Sequence, residues 1–164
     1  GTTVLLSGAL GDVNPRGPHD HPDEAGDFVE AARLGAAVAA ATLAVLDGAE
    51  AAGSGVRIVA RRHLDAPTGT TLLTALLGRP GPIGVELVEW QLGDVRIVSV
   101  PGEAFCAFGR PVQEVRGDRV LLAGLSPVWQ GYLPKPFGEG YEEGVSYGQP
   151  AVDAIFDALM HVPD

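Results

Sequence analysis

One apolar stretch that breaks off abruptly constrains the fold of this chain more than any other. Residues 95–100, VRIVSV, have the composition of a buried strand. Pro101 and Gly102 then end regular structure, so Glu103 lies on the turn that leaves a sheet. In open α/β sheets, ligands bind beyond the carboxyl ends of the strands, where the turns project side chains into a crevice. Glu103 is therefore predicted to be a carboxylate that rigid structure holds at a crevice.

Composition excludes several classes of function. The 164 residues, 46% of them hydrophobic, suffice for one core, and we expect one domain over residues 1–164. A net charge of −10 argues against a nucleic-acid partner, since that affinity depends on clustered Lys and Arg. We identify no apolar run of the roughly eighteen residues that span a bilayer, and the start lacks the basic region of a signal peptide, so no membrane span is expected. The single cysteine, Cys106, excludes an internal disulfide.

The apolar pattern predicts an α/β fold, with a single mixed β-sheet layered with helices. Helices are expected from Asp27 to about Asp47, after Phe105 with Pro111 as a kink or interruption, and over residues 151–160. Gly93 and Asp94 suit the two-residue turn of a hairpin. The stretch 72–77 suits a helical turn or a strand equally well. Strands are predicted at residues 2–6, 56–63, 84–90, 95–100 and 119–125.

Three of these strands are followed by candidate site residues, namely Asn14, Glu103 and Tyr132. If the strands end at one edge of the sheet, the three side chains converge there. Asp12 and Asn14 also have a simpler interpretation, because in a Gly-rich turn such side chains bond local backbone amides. The aromatic residues around the third candidate either line an apolar substrate groove or belong to the core: Trp129, Phe137 and Tyr147.

Three motifs together resemble one known family. GALGDVNPRGP lies near the start, VPGEAF covers residues 100–105, and LSPVWQGYLPKP is followed by EGYEEGVSYG. The same order is found in the neutral/alkaline ceramidases, which are zinc-dependent amidases. The resemblance runs from about Ser7 to Phe156 and implies an incomplete, C-terminal portion of a larger ceramidase-like catalytic domain. It implies hydrolysis of a linear amide (N-acyl) bond in a lipid or another small molecule.

The resemblance also assigns residues to this chemistry. It implies that Glu103 and Tyr132 bind Zn²⁺, and that Tyr141 lies near the scissile amide, where a phenolic hydroxyl stabilises a developing oxyanion. Asn14 stands where the family has a serine with a catalytic role. An amide cannot act as an alkoxide nucleophile. Asn14 is therefore expected to orient the substrate or to donate a hydrogen bond, with metal-activated water as the attacking group.

Two oxygen ligands leave a zinc site incomplete, since zinc prefers four positions. In the family the remaining ligands are histidines from the earlier part of the domain. Because the sequence begins without Met and directly with a predicted strand, we expect it to be a piece of something longer. A second polypeptide or a missing N-terminal half is then the favoured source of the ligands. The alternatives are that His19 and His21 substitute for them, or that the site is empty. The chain alone is expected to bind zinc weakly.

Three functions therefore compete. The first is a ceramidase-like zinc amide hydrolase, or a segment or subunit of one. The second is a metal hydrolase on the same scaffold with a non-lipid substrate, which the departure at Asn14 favours. The third is a non-catalytic domain that has kept the fold.

Cys106 is interpreted as buried packing rather than as a ligand or nucleophile.

Overall fold

The computed structural model describes residues 4–13, 24–50 and 55–161. The chain divides into two compact units. One comprises Gly1–Val13 and Ala52–Asp164, and the other comprises Asn14–Ala51. Each unit is described by itself.

The smaller unit contains the helix α1 (Glu24–Leu46). The sequence predicts a helix here, and the helix is confirmed. It begins at Glu24, three residues before the predicted start at Asp27. One turn later Arg33 pairs with Glu30, as residues three apart do on a helix surface.

The apolar part of α1 bears on the expectation that no segment spans a membrane. By length and composition the 19 residues Phe28–Leu46 could cross a bilayer. The expectation rested on counting a strictly apolar run, whereas the average over this window tolerates its few charged residues. None of this window is buried in the described structure, so it is not a core helix there, and one such helix by itself assigns no membrane to the chain.

The larger unit contains all the other described elements. In chain order they are β1 (Val56–Ala66), α2 (Leu72–Leu76), β2 (Ile83–Leu92), β3 (Val95–Val100), β4 (Glu103–Ala104), α3 (Cys106–Arg116), β5 (Val120–Gly124), β6 (Tyr132–Leu133), α4 (Tyr141–Gly144) and α5 (Gln149–Met160). The four longer strands form a sheet in the order β1-β2-β3-β5. The first two neighbouring pairs are antiparallel and β3 pairs with β5 in parallel, so the predicted mixed sheet is confirmed. The predicted hairpin is confirmed as well, with Leu92 opposite Val95.

One face of this sheet and the helices α3 and α5 enclose the core. Alternate strand residues point to it, as the two-residue period of a strand requires. Phe108 of α3 and Phe156 of α5 meet edge to face, with ring centroids 5.2 Å apart. Pro111 does not end α3, which continues to Arg116. The core side chains from the four-stranded sheet are Ala66, Val85, Leu87, Val98, Val100, Val120 and Leu122, Ala104 and Leu133 come from β4 and β6, and those from the helices include Phe108, Val112, Val152, Ile155 and Leu159.

Two details of the predicted sheet are wrong. The sheet is not single, because β4 and β6 form a separate parallel pair after Pro101 and Gly102 turn the chain out of β3. The buried strand predicted at residues 2–6 is not formed over its described part, Val4–Leu6, which is exposed. Among the described residues a single backbone hydrogen bond, from Gly124 N to Ser7 O, joins this segment to β5, so no ladder forms. The α/β class is confirmed, and a ceramidase-like catalytic domain remains a prediction.

Candidate functional site

Glu103 and Tyr132 lie side by side on the small two-stranded sheet. β4 and β6 pair in parallel with Glu103 opposite Tyr132 and Ala104 opposite Leu133. The backbone fixes this register, since Glu103 N donates to Gly131 O at 3.0 Å. Residues opposite each other in neighbouring strands project to the same face. The pairing therefore brings together a carboxylate and a phenol from distant parts of the sequence.

Close backbone contacts at two glycines make this pairing feasible. A Cβ on Gly102 would overlap the carbonyl oxygen of Gly131. Gly131 has a φ of 78°, and a Cβ there would lie 2.6 Å from the Val145 carbonyl oxygen, which accepts the Tyr132 N–H. Only glycine meets both the conformational and the steric requirement. Gly102 of the PGE motif and Gly131 of the QGY motif thus allow β4 and β6 to approach closely enough to pair.

Two neutral donors contact the Glu103 carboxylate. Trp129 Nε1 donates to Glu103 Oε1 at 3.0 Å. The pKa of Tyr132 is raised above its usual value, first by burial and then by the charge of Glu103 and a hydrogen bond to it. Burial and the neighbouring carboxylate thus both favour the protonated, neutral phenol of Tyr132.

The site carries net negative charge. Among residues 4–13, 24–50 and 55–161, no Lys, Arg or His forms an ion pair with Glu103. Glu142 contributes further negative charge that acts on Tyr132. A carboxylate without a cationic partner next to a polar hydroxyl favours a bound cation.

Tyr141 approaches the same pair. It is the first residue of α4, and its ring meets that of Tyr132 edge to face, with centroids 6.2 Å apart. Tyr141 is 71% exposed, so its hydroxyl is accessible to a ligand. Behind it, the buried Glu143 accepts a hydrogen bond from Gly138 N at 3.1 Å and so holds the loop that precedes α4.

The GALGDV motif packs directly behind Glu103. Gly11 N donates to Ala104 O at 2.8 Å, and Asp12 Oδ1 accepts from Cys106 N at 2.7 Å. Asp12 therefore caps α3 from a remote segment, because the N-cap residue Phe105 has no side-chain oxygen. Within the described residues, the amide that Asp12 binds belongs to the Glu103 motif rather than to its own turn. Asn14 lies outside the described residues.

The donors present fit part of a zinc site. Carboxylate oxygen is an established zinc ligand, and a bound cation promotes loss of a phenol proton. In the described part of the chain, no group of three or more His, Cys, Asp and Glu side chains could hold a metal ion. His19 and His21 lie outside that part. Glu103 and Tyr132 thus account for two ligands, and any others would come from outside the described residues.

The remaining candidate residues differ in their surroundings. Phe137 and Tyr147 pack against the core, whereas Trp129 is 47% exposed. A cavity of about 530 Å³ lies apart from the candidate site, between residues 4–9 and α3, and is lined in part by Cys106. The pKa of the Cys106 thiol is raised, first by a side-chain hydrogen bond with Asp12 and then by burial. A raised thiol pKa argues against an activated nucleophile.

Sequence reasoning missed two contacts at the site. It named Trp129, with Ser126 and Tyr132, as candidate chemistry after a strand and also as a groove or core residue, but it gave Trp129 no partner. It likewise gave Asp12 no partner in the Glu103 motif. Neither contact has a periodic signal, because both join segments that are remote in sequence. Trp129 directly precedes the QGY motif in the sequence, and this proximity was the one available indication that it belongs to the site.

Comparison with known proteins assigns no family. No protein-family model matches the chain, and neither a curated protein nor a solved structure matches it. The resemblance to the neutral/alkaline ceramidases therefore remains a prediction based on three motifs.

Proposed function

We propose that this chain is part of a zinc-dependent hydrolase of linear amide (N-acyl) bonds, similar to the neutral/alkaline ceramidases. One observation carries the proposal. Glu103 and Tyr132, the residues that the resemblance assigns to the metal, are opposite each other on adjacent strands. Short motifs that matched by chance would not require an acid and a phenol to be neighbours in space.

The surrounding contacts support distinct roles. Glu103 and Tyr132 would hold the zinc ion, which supplies Lewis acidity at the amide carbonyl when bound. Tyr141 is exposed and adjacent to Tyr132, so its hydroxyl is available to donate a hydrogen bond to the oxygen on which negative charge develops. Asn14 would orient the substrate or donate a second hydrogen bond.

A metal hydrolase with a non-lipid amide substrate is the second candidate. Asn14 favours it, because the residue departs from the serine of the ceramidase signature. Both candidates use Glu103 and Tyr132, so they differ in substrate rather than in the metal pair. The N-acyl group of a soluble metabolite and that of a sphingolipid present the same bond to this site.

Zinc content and hydrolysis measured on the product of the intact gene test the proposal. We expect about one zinc per chain by elemental analysis, and hydrolysis within a panel of lipid and soluble N-acyl amides. E103Q and Y132F should both lose zinc and activity. Y141F should keep zinc and lose about 10²- to 10³-fold in kcat, the typical cost of one oxyanion donor.

Glu86→Gln is the matched control, since Glu86 lies on β2 and pairs with the exposed Arg61. It should leave both zinc content and hydrolysis unchanged. Preference for lipid over soluble amides would select the first candidate, and the reverse would select the second. Full zinc content in both E103Q and Y132F, or zinc without hydrolysis of any amide, would refute the proposal.

A further inference from the structure

Trp129 holds one oxygen of the Glu103 carboxylate. Its indole N–H donates to Glu103 Oε1 at 3.0 Å. A hydrogen bond to an ionised carboxylate is shorter and stronger than one between neutral groups. We propose that Trp129 is a positioning residue, which fixes the orientation of Glu103 and leaves Oε2 to face a cation. The inference rests on the proposed function, in which Glu103 is a metal ligand.

The chemistry of indole suits this role. The indole nitrogen donates one hydrogen bond and accepts none, so Trp129 does not compete with Glu103 for a cation. A carboxylate that is free to rotate offers either oxygen and loses torsional entropy when it binds. A partner that holds one oxygen removes this cost, and groups that orient metal ligands typically contribute 10- to 100-fold to affinity.

The backbone holds donor and acceptor in a fixed relation. Gln130 N, next to Trp129, donates to Pro101 O at 2.9 Å, and Glu103 N donates to Gly131 O at 3.0 Å. The segments on either side of both residues are thus tied together by backbone hydrogen bonds. The Gln130 side chain adds a third tie by donating to Gly84 O at 3.2 Å. These ties keep the backbone positions of Trp129 and Glu103 close enough for the indole to contact the carboxylate.

Packing does not account for Trp129. Its side chain is 47% exposed, and it does not belong to the hydrophobic core. The other tryptophan, Trp90, lies within β2 and is partly buried in the sheet. The exposed tryptophan is the one whose N–H contacts Glu103, as expected for a side chain that serves the site.

The first test measures zinc affinity by calorimetry or by chelator competition, with W129F as the main variant. W129F retains an aromatic ring without the donor, and we expect affinity about 10- to 100-fold weaker than in the wild type. W90F is the matched control and should bind zinc as the wild type does. Equal affinity in W129F and the wild type would overturn the proposal.

The second test needs no metal. The two tryptophans give two indole N–H proton signals in NMR spectra, which W129F and W90F assign. In E103A the Trp129 signal should move upfield and exchange faster with solvent, while the Trp90 signal stays in place. An unchanged Trp129 signal would overturn the proposal. If the wild type bound no zinc while this signal responded to E103A, the metal site would fail and the orientation of Glu103 by Trp129 would stand.

Discussion

Glu89 and Glu103 show two opposite ways of holding a carboxylate. Glu89 on β2 is 2% exposed and pairs at 2.8 Å with Arg116, whose side chain is equally buried. Arg62 and Arg96 lie 3.6 and 4.0 Å from its oxygens. Glu103 is only partly buried, and its described neighbours are the neutral donors of Trp129 and Tyr132.

The difference separates a structural charge from one available to a ligand. The Glu89–Arg116 pair joins three elements, because Arg116 at the end of α3 also donates to Leu159 O at the end of α5 over 2.8 Å. Its charges are satisfied within the protein. The charge of Glu103 has no cationic partner among the described residues. Uncompensated charge at a rigid strand pair is typical of a functional site.

The largest effect is expected from Glu89→Gln. This change removes the charge that neutralises Arg116 and leaves a buried cation without its partner. We expect a loss of about 3–5 kcal/mol in the free energy of unfolding, which urea denaturation would measure. Glu103→Gln should cost less than about 1 kcal/mol, because no cation depends on it. Equal losses in the two variants would remove the distinction between the two glutamates.

A smaller effect concerns pH. Burial and Glu103 raise the pKa of Tyr132, so a cation that binds the phenolate must displace a proton. Protons compete less with zinc for the Tyr132 oxygen as pH rises. Below the pKa of Tyr132, the loss of this one proton should increase zinc affinity about tenfold per pH unit. Calorimetry in buffers of different ionisation enthalpy would count the released proton. At zinc concentrations high enough to detect its weaker residual binding, Y132F should lack this pH dependence. A wild-type affinity that is independent of pH between 6.5 and 8 would contradict a phenolate ligand.

The smallest effect tests how the Glu103 segment is supported. Asp12→Ala removes the cap that α3 receives from the GALGDV motif, and we expect a loss of about 1 kcal/mol in unfolding free energy. Asp118→Ala, at an exposed position after α3, should change stability by less than about 0.5 kcal/mol. Equal values for the two variants would show that the cap contributes nothing.

Patterns that are local in sequence predicted much of the fold. The hairpin of β2 and β3 was predictable because a two-residue Gly-Asp turn and alternating apolar residues specify it within a short window. The strand predicted at residues 2–6 was wrong over Val4–Leu6, because apolar composition says nothing about whether a hydrogen-bonding partner is available. The candidate metal ligands came from motif resemblance. Their convergence was predicted on the condition that their strands end at one edge of the sheet, whereas Glu103 and Tyr132 meet through the separate β4–β6 pair.

The sequence by itself determined the α/β class, the main strands and helices, and the residue types offered for chemistry. Hydrophobic periodicity, turn residues and helix-forming residues influence only a few neighbouring positions, so their effects can be predicted without a structure. Only the tertiary structure decided that Glu103 faces Tyr132, that Trp129 holds the carboxylate, and that arginines neutralise Glu89 while none pairs with Glu103. β4 and β6 have two residues each, too few to carry a pattern. Their register depends on contacts between segments that are distant in the chain and meet only after folding.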